Sequence, residues 1–318
     1  MSDPNRTDAA RSNQEESIRY LRLGDLELWI LPDTFVLQEA SFFAREVAEP
    51  EIAELVRDSL LAGNQLRLSA CPILLKKDGH LILIDTGIGS QVSGNSGKLP
   101  QQLAAIGIRP EQISTVLITH LHFDHIGGAF DPNTGQRLFS SAVFFIPEPE
   151  VGFWTNPDLT HLRNVPPELI EFTVRTAQRA IECLPVKMFS FAERILPWIE
   201  PIPLPGHTIG QAGYLLDPAG SDKQFLVGGD SMHHSVLHVR HPEWTTYGDS
   251  HPHLVQQTRL SLLNRLADKN VLFQCYHFAA DETGYVRKDT KGGFRFVVPS
   301  QEAQMSSSID RGAEPRPW

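Results

Sequence analysis

Short apolar runs recur along the chain, and several of them end in polar residues that can bind a metal ion. The clearest run is Val116-Leu117-Ile118, which is rich in β-branched side chains and is soon followed by Gly127-Gly128. Such a run predicts a buried strand that delivers a loop. The intervening loop carries metal-binding side chains at His120, His122, Asp124 and His125.

Three apolar runs further along the chain are also followed by a side chain that can bind metal. They lie at residues 199–204, 225–227 and 271–273, before His207, Asp230 and His277. Zinc takes about four ligands, so a site begun by one loop needs others from elsewhere. A sheet that holds a metal site along one edge would produce this pattern of strand and then ligand.

The rest of the pattern predicts a mixed α/β protein. Alternation on either side of Gly24-Asp25 predicts a hairpin over residues 18–32. Residues 65–76 are predicted to form one long strand, with residues 80–85 as its partner. Helical segments are predicted at residues 41–61, 98–106, 167–184 and 254–267.

The composition is that of a globular enzyme. Hydrophobic residues make up 41% and charged residues 21% of the 318 residues, which allows a large buried core. The net charge is −10, from 28 Lys and Arg against 38 Asp and Glu. This balance argues against a nucleic acid partner, because phosphate binding needs a basic surface. The glycine-rich segment 87–97 lacks the Lys-Ser/Thr ending of a P-loop.

Both ends of the chain are polar. Residues 1–17 contain no apolar segment of the kind found in signal peptides and are predicted to be a disordered leader, and residues 301–318 a disordered tail. Residues 18–300 are expected to form one catalytic domain. No stretch is long and apolar enough for a membrane span, so we expect no membrane partner and a cytoplasmic location. The three scattered cysteines favour reduced thiols over disulfides.

The segment 119–125 has an alternative explanation in ordinary packing. A lone histidine in an apolar stretch is usually a core or surface residue, but here four metal-competent side chains fall within six positions. Histidine is the commonest protein ligand for zinc, and a neighbouring carboxylate adds an oxygen donor. Metal binding therefore explains this segment better than packing does.

These motifs resemble the metallo-β-lactamase superfamily, over about residues 21–298. The resemblance rests on the segments Ile84-Asp85-Thr86-Gly87, residues 119–125, Pro205-Gly206-His207-Thr208, Gly229-Asp230 and His277. It implies a four-layer αββα sandwich, an α/β (α+β) fold with helices outside two facing sheets. It also implies that Asp85 orients ligands, although a turn residue at a strand end is an equally good interpretation.

The resemblance also implies two divalent metal ions. The first would be held by His120, His122 and His207, the second by Asp124, His125 and His277, with Asp230 bridging the two. Zinc is the expected metal, with iron, manganese and cobalt as alternatives, because histidine and carboxylate suit all four. In such a site a bridging hydroxide attacks an electrophilic centre, and Asp124 would take up the proton.

The ligand set narrows the choice of reaction. Asp230 stands where the β-lactamases of this superfamily carry cysteine, so antibiotic hydrolysis is not expected. The histidine-rich segment is most similar to the N-acyl homoserine lactonase and methyl parathion hydrolase branches. Those lactonases have a tyrosine three residues after the bridging aspartate, where this chain has His233. His233 is therefore the candidate hydrogen-bond or proton donor to a substrate oxygen, with His234 as the alternative.

We expect a metallohydrolase of a small-molecule lactone or carboxylic ester, with a homodimer as one option for its assembly. The first alternative is a phosphotriester hydrolase, favoured if Phe42, Trp154 and Trp244 line a pocket without charged residues. Core packing is the competing interpretation of Phe42 and Trp154. The second alternative belongs to another class, a metal-binding redox partner or sensor without hydrolytic turnover.

Overall fold

The computed structural model describes residues 16–45, 47–57, 64–90, 97–159 and 165–299. Apart from Glu16 and Ser17, the predicted leader lies outside the described residues, as does the predicted tail. Part of the glycine-rich segment 87–97 lies outside them too. The domain boundaries at residues 18 and 300 stay predictions.

The described residues form 15 strands, with the following bounds. They are β1 (Arg19–Leu23), β2 (Leu26–Ile30), β3 (Thr34–Glu39), β4 (Gln65–Ala70), β5 (Ile73–Lys77), β6 (His80–Ile84), β7 (Thr115–Leu117), β8 (Val143–Pro147), β9 (Val186–Phe189), β10 (Ile199–Pro203), β11 (Ala212–Leu216), β12 (Phe225–Val227), β13 (Leu272–Gln274), β14 (Gly284–Lys288) and β15 (Phe294–Val297).

Seven α-helices and three 3₁₀ helices accompany these strands in the described part of the chain. The α-helices are α1 (Glu49–Leu55), α2 (Leu99–Ala105), α3 (Phe123–Ile126), α4 (Glu148–Thr155), α5 (Pro167–Cys183), α6 (Leu237–Arg240) and α7 (Pro252–Lys269). The 3₁₀ helices are Ala40–Phe43, Pro110–Gln112 and Gly127–Ala129. Among these described helices, none has the length and hydropathy required for a membrane span.

The strands form two large sheets and a separate hairpin. The first sheet has the order β1-β2-β5-β6-β7-β8-β9, and the second has the order β10-β11-β12-β13-β14-β15. The separate hairpin consists of β3 and β4. Strands β6 to β9 run parallel to one another, whereas the second sheet is antiparallel except for the pair β12 and β13.

Alternating side chains sort these elements into four layers. On β11, Tyr214 and Leu216 pack between the two sheets, where they meet Ile82 and Ile84 of β6. Leu215, which points the other way, belongs to the cluster that contains Leu263 of α7. On the opposite side of the molecule, α2, α4 and α5 cover the outer face of the first sheet. The predicted αββα sandwich is confirmed.

The prediction of one long strand over residues 65–76 is wrong. Strand β4 ends at Ala70 and β5 begins at Ile73, because Pro72 has no N–H to continue a ladder. The N–H of Cys71 instead donates to the carbonyl of Tyr276 at 3.1 Å. Strand β4 pairs with β3 outside the large sheets, which carries Ser69 towards the predicted metal site.

The predicted helix over residues 41–61 is also wrong in its extent. Its described part is divided between the 3₁₀ helix Ala40–Phe43 and α1, and the remainder lies outside the described residues. Phe43 packs with Ile52 and Trp244 in a small core beneath the β3–β4 hairpin.

Strand direction brings the candidate site together. Strands β6 and β7 are parallel neighbours, so Asp85 and the 119–125 segment leave the same edge of the first sheet. In the second sheet β10, β12 and β13 share one direction, since two antiparallel steps separate β10 from β12. Their carboxyl ends therefore lie on one edge, and the segments that follow carry His207, Asp230 and His277.

Candidate metal centre

The first predicted ligand group is assembled from both sheets. His120 and His122 follow β7, His207 follows β10, and the side chains of these three and of Asp230 offer ligand atoms within 4.8 Å of one another. Nδ1 of His122 lies 2.9 Å from Nε2 of His207. Nε2 of His207 lies 3.3 Å from Oδ2 of Asp230. One cation could contact all four side chains.

The second predicted group lies beside the first. Asp124, His125 and His277 also offer ligand atoms within 4.8 Å of one another. Nε2 of His277 is 3.5 Å from Oδ2 of Asp124 and 2.9 Å from Oδ2 of Asp230. Nε2 of His125 is 3.2 Å from Oδ1 of Asp230. Asp230 therefore contacts both groups, as a bridging residue must.

Several atoms at the centre of this cluster are buried without a hydrogen-bond partner among the described residues. They are Nε2 of His120, Nε2 of His125 and Oδ1 of Asp230, the last two lying 3.2 Å apart but without hydrogen-bonding geometry. Leaving such groups unsatisfied is costly, and a cation that accepts their lone pairs removes the cost. Imidazole nitrogen and carboxylate oxygen are suitable donors for zinc and for the other three metals. The residues present therefore fit a pair of divalent metal ions.

The charges of the site agree with cation binding. Burial and neighbouring imidazoles hold the pKa of His120 and of His122 well below the usual value, so both are neutral ligands near pH 7. Burial would also lower the pKa of His125, but the carboxylates of Asp230 and Asp124 raise it. The carboxylate charge that favours a proton on His125 also favours a metal ion beside it.

The other ring nitrogen of the ligand histidines is held by the protein. Nδ1 of His125 donates to Asp85 and Nδ1 of His207 donates to Asp249, both at 2.9 Å. Nδ1 of His277 donates to the backbone carbonyl of Ser69 at 2.6 Å. These bonds leave Nε2 of each ring directed at the centre of the site.

Asp85 satisfies both interpretations offered by the sequence. Its φ of +57° places it in a left-handed turn directly after β6. Its carboxylate also accepts from the backbone N–H and the hydroxyl of Thr119, both at 2.8 Å. Because the Thr119 hydroxyl donates to Asp85, its oxygen can accept from Nδ1 of His120 at 3.1 Å. Asp85 thus orients His125 directly and His120 through Thr119.

Two orienting carboxylates were missed by the sequence reasoning. Asp249 lies in a loop between α6 and α7, and although burial opposes it, the hydrogen bond from His207 holds the pKa of Asp249 well below its usual range. Glu150 is fully buried on α4 and accepts four hydrogen bonds. Asp249 follows no strand and belongs to no histidine-rich motif. Glu150 comes three residues after β8, as Asp230 does after β12, but no histidine accompanies it, so it was not singled out.

The structure separates the extra histidines that follow Asp230. His233 is buried in the site, with Nε2 3.4 Å from Oδ2 of Asp230 and its ring stacked on His277 at 5.0 Å. His234 points away and caps a turn, since its Nδ1 accepts from the N–H of Val236 at 3.1 Å. His238 accepts from the N–H of His233 and contacts the carbonyl of Phe43, which makes it a structural residue.

A cavity of about 460 Å³ opens over the cluster. Its floor includes His122, Asp124, His207, Asp230, His233 and His277. Its walls are mainly apolar and include Phe42, Leu68, Trp154, Leu169 and Ile170. None of the described residues that line it is a lysine or an arginine.

Trp244, one of the three aromatic residues named as possible pocket walls, is not among the described residues that line the cavity. Trp244 lies in the small core with Phe43 and Ile52, and His241 stacks on its ring at 4.0 Å. Phe42 does line the cavity, half-buried and edge-on to His233 at 6.3 Å. Cys275 lies in the core with Phe273, where burial raises the pKa of its thiol to about 12.

Comparisons with known proteins agree on the fold. The family model described as metallo-beta-lactamase superfamily matches residues 72–131. A solved structure described as AidC, a dizinc quorum-quenching lactonase in complex with a product, is 24% identical and superposes with a TM-score of 0.81, over 90% of this chain and 98% of that one.

Two curated relatives illustrate the range of the sequence matches. A probable metallo-hydrolase of Mycobacterium tuberculosis is 24% identical over 235 residues, 64% of this chain and 73% of that protein. A cytochrome P450 monooxygenase of Penicillium brevicompactum is 30% identical over 153 residues, 44% of this chain. The match spans only 16% of the length of that monooxygenase, so its whole activity does not transfer to this chain.

Proposed function

We propose that this chain, which carries a metallo-β-lactamase superfamily domain and is a metal-dependent hydrolase, opens lactones or cleaves carboxylic esters of neutral, largely apolar molecules. One observation carries the proposal: buried ligand atoms without hydrogen-bond partners converge beneath an apolar cavity. The domain is assigned to residues 18–300, and a small-molecule ester or lactone is its substrate.

The lining of the cavity supports an uncharged substrate. Substrates that carry a free phosphate or carboxylate are usually held by lysine or arginine, and the described lining residues include neither. A volume of about 460 Å³ with walls such as Leu68, Leu169 and Ile170 accommodates an apolar chain or ring attached to the ester.

Seven side chains would hold the two metal ions, in two groups joined by Asp230. They are His120, His122 and His207 for one ion and Asp124, His125 and His277 for the other, with Asp230 in contact with both groups. Two bound divalent ions would supply Lewis-acid polarisation of the substrate oxygen and lower the pKa of water to near neutrality.

His233 and Asp124 are the residues available for proton handling. Burial lowers the pKa of His233 to about 4, so its imidazole is neutral near pH 7, and its Nδ1 is buried without a partner among the described residues. A neutral imidazole can donate one N–H to a substrate oxygen. Asp124 is 21% exposed at the cavity floor, and its carboxylate can accept a proton during the reaction.

The dizinc lactonase that superposes on this chain supports a lactone as the substrate class, because that protein holds a product of lactone hydrolysis on the same fold. The correspondence is to the fold, since the two chains are only 24% identical. His233, which stands where a tyrosine is found in the lactonases that the motif resembles, is the position at which the two active sites would differ.

A phosphotriester is the second candidate substrate. The observation that favours it is the pair of aromatic side chains, Phe42 and Trp154, in a cavity whose described lining residues include no lysine or arginine. A neutral aryl phosphotriester would suit such walls as well as an ester does.

A substrate panel tests the proposal. Zinc-loaded protein should hydrolyse lactones or aryl esters faster than an aryl phosphotriester, and chelation of the metal should remove the activity. The matched control is the Asp230→Ala variant carried through the same purification. Faster phosphotriester cleavage would favour the second candidate. Two bound ions per chain with no turnover of any substrate would favour a metal-binding redox or sensor protein and contradict the proposal.

A further inference from the structure

The carboxylate of Glu150 lies beneath the first ligand group and is completely buried. Its Oε1 accepts from the N–H of Leu121 at 2.9 Å and from the indole N–H of Trp154 at 2.7 Å. Its Oε2 accepts from the hydroxyl of Thr208 at 2.7 Å and from the N–H of Gly210 at 3.1 Å. All four donors are neutral groups, and both oxygens are saturated.

Three of these four bonds reach the loops that carry the first ligand group, at positions close to its histidines. Leu121 stands between His120 and His122 in the chain, and Thr208 directly follows His207. The ring of Trp154 lies edge-on to His122 at 5.7 Å. Glu150 thus ties the loop of one sheet to the loop of the other at the point where the first metal ion would bind.

The backbone is packed tightly around this carboxylate. A Cβ atom at Gly210 would lie 2.2 Å from the backbone nitrogen of Glu150, so only glycine allows the His207 loop to approach α4 this closely. The distance between the two loops is therefore fixed by direct contact as well as by hydrogen bonds.

The second ligand group is held by different residues. His125 is oriented by Asp85, and His277 by the carbonyl of Ser69. None of the four hydrogen bonds to Glu150 comes from the segments that carry Asp85, Ser69 or His277, and the bond to the 119–125 segment is made at Leu121, between the two histidines of the first group. A change at Glu150 should therefore affect the two groups unequally.

We propose that Glu150 is a positioning residue that sets the metal affinity of the His120, His122 and His207 group and leaves that of the Asp124, His125 and His277 group largely unchanged. The inference rests on the proposed function, because it presupposes that the site binds two metal ions. What it adds is that binding of only one of the two ions depends on the link that Glu150 makes between the loops.

The Glu150→Gln variant tests the link with little change in shape. A glutamine side chain has one acceptor oxygen, and its NH₂ group would face either the Leu121 and Trp154 donors or the Thr208 and Gly210 donors. At least one backbone N–H would lose its partner, and one of the two loops would relax. Replacing a residue that hydrogen-bonds to a metal ligand typically lowers metal affinity by about 10–100-fold.

The measurement is zinc affinity, by competition of the full chain with a chromophoric chelator. We expect Glu150→Gln to lower the affinity for one of the two zinc ions by about 10–100-fold and to change the affinity for the other by less than about twofold. The matched control is Glu148→Gln. Glu148 lies exposed on the same helix, and its replacement by glutamine removes the same charge. That control should keep both affinities.

A double variant shows which ion is affected. Asp85→Asn should weaken mainly binding of the ion held by His125, because Asp85 reaches His120 only through Thr119. Glu150→Gln combined with Asp85→Asn should therefore weaken the binding of each ion by about the factor found in the corresponding single variant. If the double variant retains one tightly bound zinc ion, both residues act on the same ion and the inference is overturned.

The remaining outcomes separate this inference from the proposed function. If wild-type protein binds no zinc, the proposed function itself fails. If wild type binds two ions and Glu150→Gln binds both unchanged, or weakens both equally, the positioning role of Glu150 is overturned alone. Should Glu150→Gln not fold, Thr208→Val removes one of the four hydrogen bonds, and it should weaken the same single ion by a smaller factor.

Discussion

The two halves of the candidate metal centre are built from similar ligands but supported differently. In the first half, Asp249 orients His207, and Glu150 holds the backbone beside His120 and His122. In the second half, Asp85 orients His125, whereas a backbone carbonyl, that of Ser69, orients His277. A side-chain support can be removed by substitution and a backbone support cannot, so the two halves should respond unequally to mutation.

Both halves nevertheless share one geometric feature. Each combines residues that follow β7 of the first sheet with a histidine from the second sheet, His207 in one half and His277 in the other. Bound metal ions would therefore link the two sheets, and we expect metal loading to stabilise the fold as any ligand of the native state does.

Replacing Asp230 by Ala should have the largest effect, because Asp230 belongs to both halves. Its loss would affect both and so remove the distinction between them. We expect loss of hydrolysis and a fall in metal content from about two ions per chain. Elemental analysis alongside an ester hydrolysis assay measures both. Full activity in this variant would show that Asp230 does not join the two halves.

Replacing His233 by Phe should have the next largest effect. His233 stacks on His277 of the second half and could also serve as a ligand, since Asp230, His233 and His277 offer ligand atoms within 4.8 Å of one another. As a donor to substrate, its loss should lower kcat by about 10²–10³-fold while two metal ions stay bound.

The control for that experiment is His253→Phe, which changes an exposed histidine on α7. Loss of metal together with activity in His233→Phe would show that His233 binds metal or supports the site, and the proposed role as a donor would be given up.

Replacing Asp249 or Asp85 by Asn sharpens the comparison between the halves. Asp249→Asn should weaken binding of the ion of the first half by about 10–100-fold, because Asp249 orients His207. Asp85→Asn should weaken binding of the ion of the second half by a similar factor through His125, and that of the first half by a smaller factor through Thr119 and His120. Stepwise chelator titration distinguishes the two ions. If either variant weakens both ions equally, the halves are not independently supported.

Replacing Phe42 by Ala should have the smallest effect, since Phe42 lines the cavity and belongs to neither ligand group. Loss of this half-buried wall should raise KM for an apolar ester by roughly tenfold, with kcat and metal content unchanged. Trp244→Ala is not a suitable comparison, because Trp244 is a core residue. A fall in kcat with unchanged KM would mean that Phe42 acts on the reacting groups through His233.

Much of the candidate site could be read from short stretches of the chain. His120, His122, Asp124 and His125 share one segment, and His207, Asp230 and His277 each follow a strand-like run. The same strand periodicity predicted several of the strands, and the resemblance supplied the two facing sheets and the layer count that the structure confirms. These signals are local, since strand ends and ligand clusters depend on neighbouring residues in the chain.

The remaining features have no local signature. Residues 65–76 are apolar enough to suggest one strand, but Pro72 and the contact of Cys71 with Tyr276 redirect the chain, and this brings the Ser69 carbonyl to His277. Trp154 and Trp244 were both named as possible pocket walls, yet of these two only Trp154 lines the cavity. Which side of such a residue is buried depends on elements far away in the chain.

The sequence by itself determined the ligand types and their order along the strands, because periodicity and side-chain chemistry act over a few residues. Only the tertiary structure decided which residues support those ligands. Glu150 contacts groups that lie up to 60 positions away, and His207 finds Asp249 at a separation of 42. Hydrogen bonds across such distances form only after the two sheets have packed, so no pattern within one segment can specify them.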